Sequence, residues 1–488
     1  MAASRPSTRM PSHPARTVST AGAPTPDFAQ LGVPSVLVAA LVRLGITAPF
    51  PIQSATLPDS LAGRDVLGRG RTGSGKTFAF LLPVLARLAA SGATRQPGRP
   101  RALVLAPTRE LASQIEAAAA PLAATLGLRT LTVFGGVPAS RQISGLRAGV
   151  DVLIACPGRL EDHIRGGQVR LDAVEVSVLD EADHMAELGF LPSVRRLLDQ
   201  TPRDGQRLLF SATLDAGVDG LVRRYLTNPI THSVDSDRSP VGTMEHHVLH
   251  VRREDRLAVL VDLTAAPGRT LVFTRTKRGA KALARQLVAS GVPAVELHGN
   301  LAQNARARNL EAFSTGTHPT LVATDIAARG IHVDGITLVV HADPPVEHKA
   351  YLHRSGRTAR AGASGTVVTL MTDEQVRDVA DLTRKAGVSA QTTRIAPGHP
   401  LLEVLAPGER SFARVAPVVT AEPVQRSRPG RAQGGPAVRR GVRSGAAAGN
   451  PAHPSRSGGA AGNPAHPSRS GGAAAFSAGS RAGRRSAR

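Results

Sequence analysis

Tryptophan is absent from the 488 residues, tyrosine occurs twice, and all aromatics together make up 3 %. A core must therefore be built from Leu, Val, Ile and Ala, which the 41 % hydrophobic content can supply. There is one cysteine, Cys156, which excludes an internal disulfide and makes a reducing cytoplasm the expected compartment. No run of about 18 apolar residues occurs, so no membrane-spanning helix and no membrane partner are expected. Residues 1–26 lack the apolar stretch of a secretory signal. The 16 histidines have no metal-ligand spacing with the cysteine, so no zinc is expected. Acid is missing from both flanks. Residues 1–26 carry Arg5, Arg9 and Arg16, and residues 423–488 carry twelve arginines, with no Lys, Asp or Glu in either. The flanks thus supply 15 of the formal charge of +23, leaving about +8 between them. Basic arms around a mildly basic middle point to a polyanionic partner.

The middle alternates short apolar runs with helical periodicity, the signature of βαβ units and parallel sheets. Strands are predicted over 101–107, 151–157, 174–180 and 207–213, with helices over Thr77–Ala90 and Arg109–Ala124. A polar, turn-rich stretch at 231–243 reads as a linker. The alternation then restarts, with strands over 270–276, 294–299, 320–325, 336–343 and 365–372 and a helix over Glu374–Ala386. The expected organisation is a basic N-terminal segment (1–26), one α/β domain (27–230), a linker (231–243), a second α/β domain (244–396) and a disordered tail (397–488). The tail is rich in Gly, Ala, Pro, Ser and Arg and repeats GNPAHPSRSGGAA from Gly449 and again from Gly462. Its composition cannot bury a core.

Two clusters carry chemistry. Residues 70–77, GRTGSGKT, follow a strand-like segment and open an apolar helix, the context of a phosphate-binding loop. Glycines there let backbone N–H groups wrap phosphates, and the helix N-terminus adds partial positive charge. Lys76 would hold the β- and γ-phosphates, and Thr77 would place its hydroxyl on Mg²⁺. Asp180-Glu181-Ala182-Asp183 closes the apolar strand VEVSVLD, at the edge where ligands bind in open α/β sheets. Asp180 is placed to hold Mg²⁺, and Glu181 to polarise an attacking water as general base.

With these motifs the chain resembles the DEAD-box RNA helicases over about residues 28–390, and among them it is similar to bacterial RhlE-type proteins. The resemblance implies two tandem RecA-like domains, ATP and Mg²⁺ as ligands, and RNA as partner, single-stranded or in short duplexes and with little sequence preference. The segment GITAPFPIQ (45–53) matches the nucleotide-reading motif, so that Gln53 would read the adenine edge and the isolated Phe28 would stack on the ring. Gly70, Thr72, Gly73, Ser74, Gly75, Lys76 and Thr77 would line the phosphates. Pro107, Thr108 and Arg109, then Gly135 and Gly136, then Arg159, resemble the segments that grip RNA in the first domain. In the second, Arg275, Gln303, Arg306 and Thr324 resemble its RNA contacts. Ser211 and Thr213, by hydrogen bonds to Asp183, and His353 would couple hydrolysis to strand separation. Arg357 and Arg360 would be arginine fingers. Departures are Gly70 for Ala, Cys156 for Thr, His332 for Asp, and Ser355 and Ala359 in the last motif. Cys156 reads as a small buried apolar residue. Ribosome assembly, mRNA turnover and cold adaptation are roles the resemblance permits. A DNA-directed ATPase and a non-catalytic RNA scaffold are the competing readings.

Overall fold

In the computed structural model the chain is described over residues 26–70, 73–234, 244–331, 333–359 and 364–413. Thr72, His332, Arg360, residues 1–25, most of the linker and the tail from 414 lie outside the described residues.

The first sheet holds β1 (Val66–Arg69), β2 (Ala102–Leu105), β3 (Thr130–Val133), β4 (Val152–Ala155), β5 (Val176–Leu179), β6 (Gln206–Ser211) and β7 (Ile230–Ser233) in the order β3-β4-β2-β5-β6-β1-β7. Its strand pairs are parallel. Successive residues of a strand point to opposite faces, and here both faces are apolar. Val66, Val104, Val178 and Phe210 belong to one core, and Leu67, Leu105, Leu179 and Leu209 to another. A sheet buried on both sides needs helices on both sides, which the βαβ connections supply. Gly68 is the exception in β1. A Cβ there would lie 2.4 Å from the ring of Phe210 on the neighbouring β6.

The second sheet holds β8 (Met244–His250), β9 (Arg269–Phe273), β10 (Ala294–Leu297), β11 (Thr320–Ala323), β12 (Ile336–His341), β13 (Gly365–Met371) and β14 (Gln391–Arg394) in the order β10-β11-β9-β12-β13-β8-β14. Counted from each domain's own first strand, the two orders are identical: third, fourth, second, fifth, sixth, first, seventh. The chain therefore winds the same RecA-like sheet twice. Val272, Val322, Val340 and Val368 face one core of the second sheet, and Leu271, Leu321, Val339 and Val367 the other.

Two boundaries move. Residues 231–233, assigned to the linker by their polarity, complete β7 at the edge of the first sheet. At the other end the packed domain continues past 396. Leu402 and Leu405 of the helix Leu401–Leu405 are buried in the second core. Arg410 fastens this extension: its Nε lies 2.7 Å from Asp262, and its Nη1 donates to the carbonyls of Ala406 and Gly408. No helix among the described residues is long and apolar enough to cross a membrane.

Candidate active site

The functional segments lie at the C-terminal ends of the strands. β1 leads into the loop before the helix Lys76–Ala90. Gly73 and Gly75 take left-handed φ values of 88° and 89°, which glycine adopts without a Cβ penalty. Lys76 is buried, and its Nζ donates to the carbonyl of Gly70 at 2.6 Å. Thr77 is the second residue of the helix. Ser74 Oγ is buried with no hydrogen-bond partner among the described residues. A Cβ on Gly70 would come within 2.7 Å of that hydroxyl, so glycine there leaves room around it.

Gln53 is fully buried and braces this loop. Its Nε2 donates to the Gly75 carbonyl at 2.8 Å, and its Oε1 accepts from the Phe50 N–H at 2.9 Å. Only one orientation of the amide satisfies both bonds. The side chain expected to read an adenine edge is thus committed to the phosphate loop. Phe28, expected to stack on the base, is 2 % exposed and sits in the first core with Leu31, Val33 and Leu37.

β5 delivers the acidic cluster. Asp180 is buried, and burial pushes its carboxyl up to about 7, against the pull of the Lys76 charge. Glu181 caps the short helix Ala182–Glu187 with a left-handed φ of 51°, uncommon away from glycine. Burial alone would raise its carboxyl. The His184 ring and the charges of Arg357 and Lys76 outweigh burial and bring it down to about 2. Asp183 accepts from both the N–H (2.9 Å) and the hydroxyl (3.1 Å) of Thr213. Ser211 joins by another route than its hydroxyl bonding the carboxylate. Its Oγ accepts from the Asp183 N–H at 3.2 Å and donates to the Thr213 carbonyl at 2.7 Å.

The helix His348–Ser355 brings the last motif to the same place. Arg357 is buried, donates to the Ile331 carbonyl at 3.0 Å, and lies within the field of Glu181. Burial lowers its guanidinium pKa from the ordinary value. His353 is lowered to about 4, by burial first and then by the charge of Arg329, so it is neutral at physiological pH. Arg354, not singled out from the sequence, anchors this helix. It forms a two-point ion pair with Asp325 at 2.5 and 2.7 Å, donates to the Asp343 carbonyl, and lies over the Phe273 ring. Its partners are distant in sequence, and no local pattern marks them.

The expected RNA-gripping residues divide into two groups. In the first domain Pro107 leads into Thr108, whose hydroxyl caps the helix Arg109–Thr125 by accepting from the Leu111 N–H. The Arg109 guanidinium lies against Gly136, whose φ is 79°, and a Cβ on Gly135 would be 3.7 Å from Arg109 and 4.0 Å from Arg159. Arg159 donates to the Val137 carbonyl at 3.2 Å. The two arginines and the glycine loop therefore form one surface feature. In the second domain Thr324 is nearly buried at the start of the helix Asp325–Ala328, and Arg275 donates to the Pro344 carbonyl. Gln303 accepts from Arg109 across the domains at 3.0 Å. Arg306 is buried and ion-paired with Glu110, so the structure gives it a bridging place instead of an open face toward RNA. Cys156 lies against the first core, and burial pushes its thiol up to about 12. A thiol so hard to ionise is unreactive.

Residues 50–221 match the family model of the DEAD/DEAH box helicase, and residues 253–362 that of the helicase conserved C-terminal domain. The chain is 40 % identical to the ATP-dependent RNA helicase RhlB of Pseudomonas syringae pv. tomato, over 73 % of the chain and 92 % of the relative. It is 42 % identical to the chloroplastic DEAD-box ATP-dependent RNA helicase 3A of Zea mays, over 74 % of the chain but 49 % of the relative, so it spans about half the length of that protein. The structure is similar to S. cerevisiae Dbp5 bound to RNA and ADP BeF3, with a TM-score of 0.69 and 26 % identity over 78 % of the chain and 98 % of that protein. Mss116p bound to ssRNA and AMP-PNP gives a TM-score of 0.68 and 26 % identity over 80 % and 84 %.

Proposed function

Because the chain belongs to the DEAD/DEAH box helicase family, we propose that it is an RNA-dependent ATPase that couples hydrolysis to local, non-processive opening of short RNA duplexes or to remodelling of RNA–protein complexes. The observation that carries this reading is that Glu181 and Arg357 lie buried in each other's electrostatic field. One comes from each domain, both are buried, and each registers the charge of the other. A phosphate-transfer site needs a base for water and a cation for the charge that develops on the transferred group. Here the two meet only when the domains are together.

ATP is the substrate for the loop Gly70–Thr77. Ser74 Oγ, buried without a partner among the described residues, and Asp180, a carboxyl that burial holds up at about 7, fit a bound Mg²⁺–nucleotide. Thr77 and Asp180 would hold the cation, which when bound supplies Lewis-acid charge on the phosphates. Gln53 keeps the loop in its binding shape, Lys76 meets phosphate charge, and Glu181 accepts the proton of the attacking water. Arg357, with Arg360 three residues on, stabilises the leaving charge. Asp183, held by Thr213 and Ser211, links this chemistry to the domain junction. RNA lies across both domains, so each ligand favours the arrangement that the other needs, and the two bind cooperatively. Contacts from Arg109, Arg159 and Arg275 to phosphate and sugar give little sequence preference, and 2′-hydroxyls favour RNA over DNA. The arginine-rich tail adds salt-sensitive, sequence-independent affinity. The single cysteine suits the cytoplasm as the working compartment.

The test is ATP hydrolysis with and without single-stranded RNA, with matched DNA and Glu181→Gln as controls. Stimulation by RNA alone, and loss of about 10²–10⁴ in rate in the variant, are expected. Equal stimulation by DNA would favour a general nucleic-acid remodeller, and absence of hydrolysis a scaffold.

A further inference from the structure

The residue after the acidic cluster is a histidine, and its ring is turned back onto the candidate base. His184 Nδ1 lies 3.3 Å from Glu181 Oε2, three residues earlier on the same helical turn. Both side chains are buried. His184 is held there by its backbone: its N–H donates to Asp183 Oδ1 at 3.0 Å, and its carbonyl accepts from the Leu188 N–H at 3.0 Å. Its other ring nitrogen, Nε2, is buried with no partner among the described residues. The polar bond the ring makes is therefore the one to the carboxylate. Glu181 needs that restraint. Its backbone sits at a φ of 51°, so a normal helical rotamer frame does not fix its side chain.

We infer that His184 is a positioning residue for the hydrolytic reaction: its Nδ1–H holds Oε2 of Glu181, leaving Oε1 as the oxygen that receives a proton from water. With a proton on Nδ1 the ring donates one hydrogen bond to Oε2, while Oε1 keeps a lone pair for the reacting water. Holding one oxygen of a carboxylate and freeing the other fixes the direction of a general base. This inference rests on the reading of Glu181 as that base.

The experiment compares His184→Ala, His184→Asn and Glu181→Gln in the full chain, by steady-state ATP hydrolysis with saturating RNA. An Asn amide nitrogen reaches about where Nδ1 lies and can replace the donor. His184→Ala is expected to lower kcat by about tenfold, the worth of one hydrogen bond to a charged group, while KM for ATP and half-saturating RNA stay within about twofold. His184→Asn should recover most of the loss. Truncation of a buried ring also lowers Tm, so kcat of the alanine protein is read well below its unfolding transition. Wild-type kcat in His184→Ala, with Glu181→Gln inactive, would overturn the inference and leave the base in place. Unchanged turnover in Glu181→Gln would overturn the base itself. Loss of kcat with no recovery in His184→Asn would also overturn the inference, because the ring would then act by its bulk.

Discussion

Arg306 in the second domain and Glu110 in the first form a buried ion pair, with Nη2 2.7 Å from Oε1 and side chains 11 % and 8 % exposed. Nε of the same guanidinium also donates to that oxygen at 2.8 Å, and Nη1 to the His298 carbonyl at 3.2 Å. Removing one partner of such a pair leaves the other charge buried and unpaired, at a cost of about 3–5 kcal/mol. The pair exists only with the domains together, so that cost falls on their approach. Arg306→Ala and Glu110→Ala should each raise the half-saturating RNA concentration for ATPase stimulation by at least about tenfold, and the exchanged pair Glu110→Arg with Arg306→Glu should recover part of it. A direct RNA contact by Arg306 predicts otherwise. Glu110→Ala would then leave RNA affinity unchanged or improved, and the exchange would not help.

Gly68 lies under the phosphate loop, where the ring of Phe210 occupies the space a side chain would need. Phe210 is fully buried and packs on Phe80 at a ring-centroid distance of 5.6 Å, so it cannot swing away cheaply. Gly68→Ala should destabilise the first domain by about 1–3 kcal/mol, the usual cost of overpacking a core. Thermal unfolding checks it, and an unchanged Tm would mean that β1 and β6 separate freely.

What the sequence made legible follows from how local each signal is. The phosphate loop and the acidic cluster could be read because glycines, a lysine and carboxylates at strand ends serve one purpose within a few residues. The buried strands β2, β4, β5, β9 and β11 announced themselves as apolar runs. β8, β7 and β14 did not: MEHHVLH, ITHS and QTTR are polar on one or both faces, because they lie toward one edge of their sheets. The domain boundary was drawn too early because the last packed piece is a five-residue helix between prolines and glycines. Most hidden were the pairs Arg354–Asp325 and Arg306–Glu110, 29 and 196 residues apart. A surface arginine and a buried, paired one have the same letter, and only the fold separates them. Arg306 was assigned to RNA from the resemblance of its motif, which carries no sign of its burial.

Asp180 supplies a pH prediction. Burial raises its carboxyl to about 7 in the folded protein, above the ordinary value of 3.8. The folded state therefore holds a proton that the unfolded state releases. The stability this contributes is fully present below about pH 4 and is lost as pH rises through about 7. Asp180→Asn removes the dependence. In the presence of a chelator the variant should gain stability relative to the wild type between pH 4 and 7, by a few kcal/mol at most, and the difference should be flat above. Denaturant unfolding of both proteins across pH measures it. A difference that shrinks as pH rises would reverse the assigned shift.

Arg357, in the domain opposite Glu181, has its guanidinium buried and tied to the Ile331 carbonyl, and its charge acts on the Glu181 carboxylate. As a cation used on the developing phosphate charge, it should matter to turnover far more than to ATP binding. Arg357→Ala should lower kcat by about 10³–10⁵ with saturating RNA. Retained binding of a fluorescent ATP analogue would separate this from loss of the site. Near-normal turnover would move the role to Arg360.

Gln53 separates two accounts of nucleotide choice. Its amide spans the Phe50 N–H and the Gly75 carbonyl, and a Cβ on Gly75 would lie 2.7 Å from its Nε2, so loop and amide are packed against each other. Gln53→Ala leaves both backbone groups without their partner at a cost of about 1–3 kcal/mol each, and it frees the loop that holds the phosphates. If Gln53 acts by bracing, the KM for ATP and for GTP should rise together, by about tenfold or more, with their ratio kept. If it reads the adenine edge, ATP should lose affinity selectively and the preference over GTP should fall. Steady-state hydrolysis of the two nucleotides by wild type and variant decides between them. The geometry favours the first outcome, because both ends of the amide are already occupied by the chain itself.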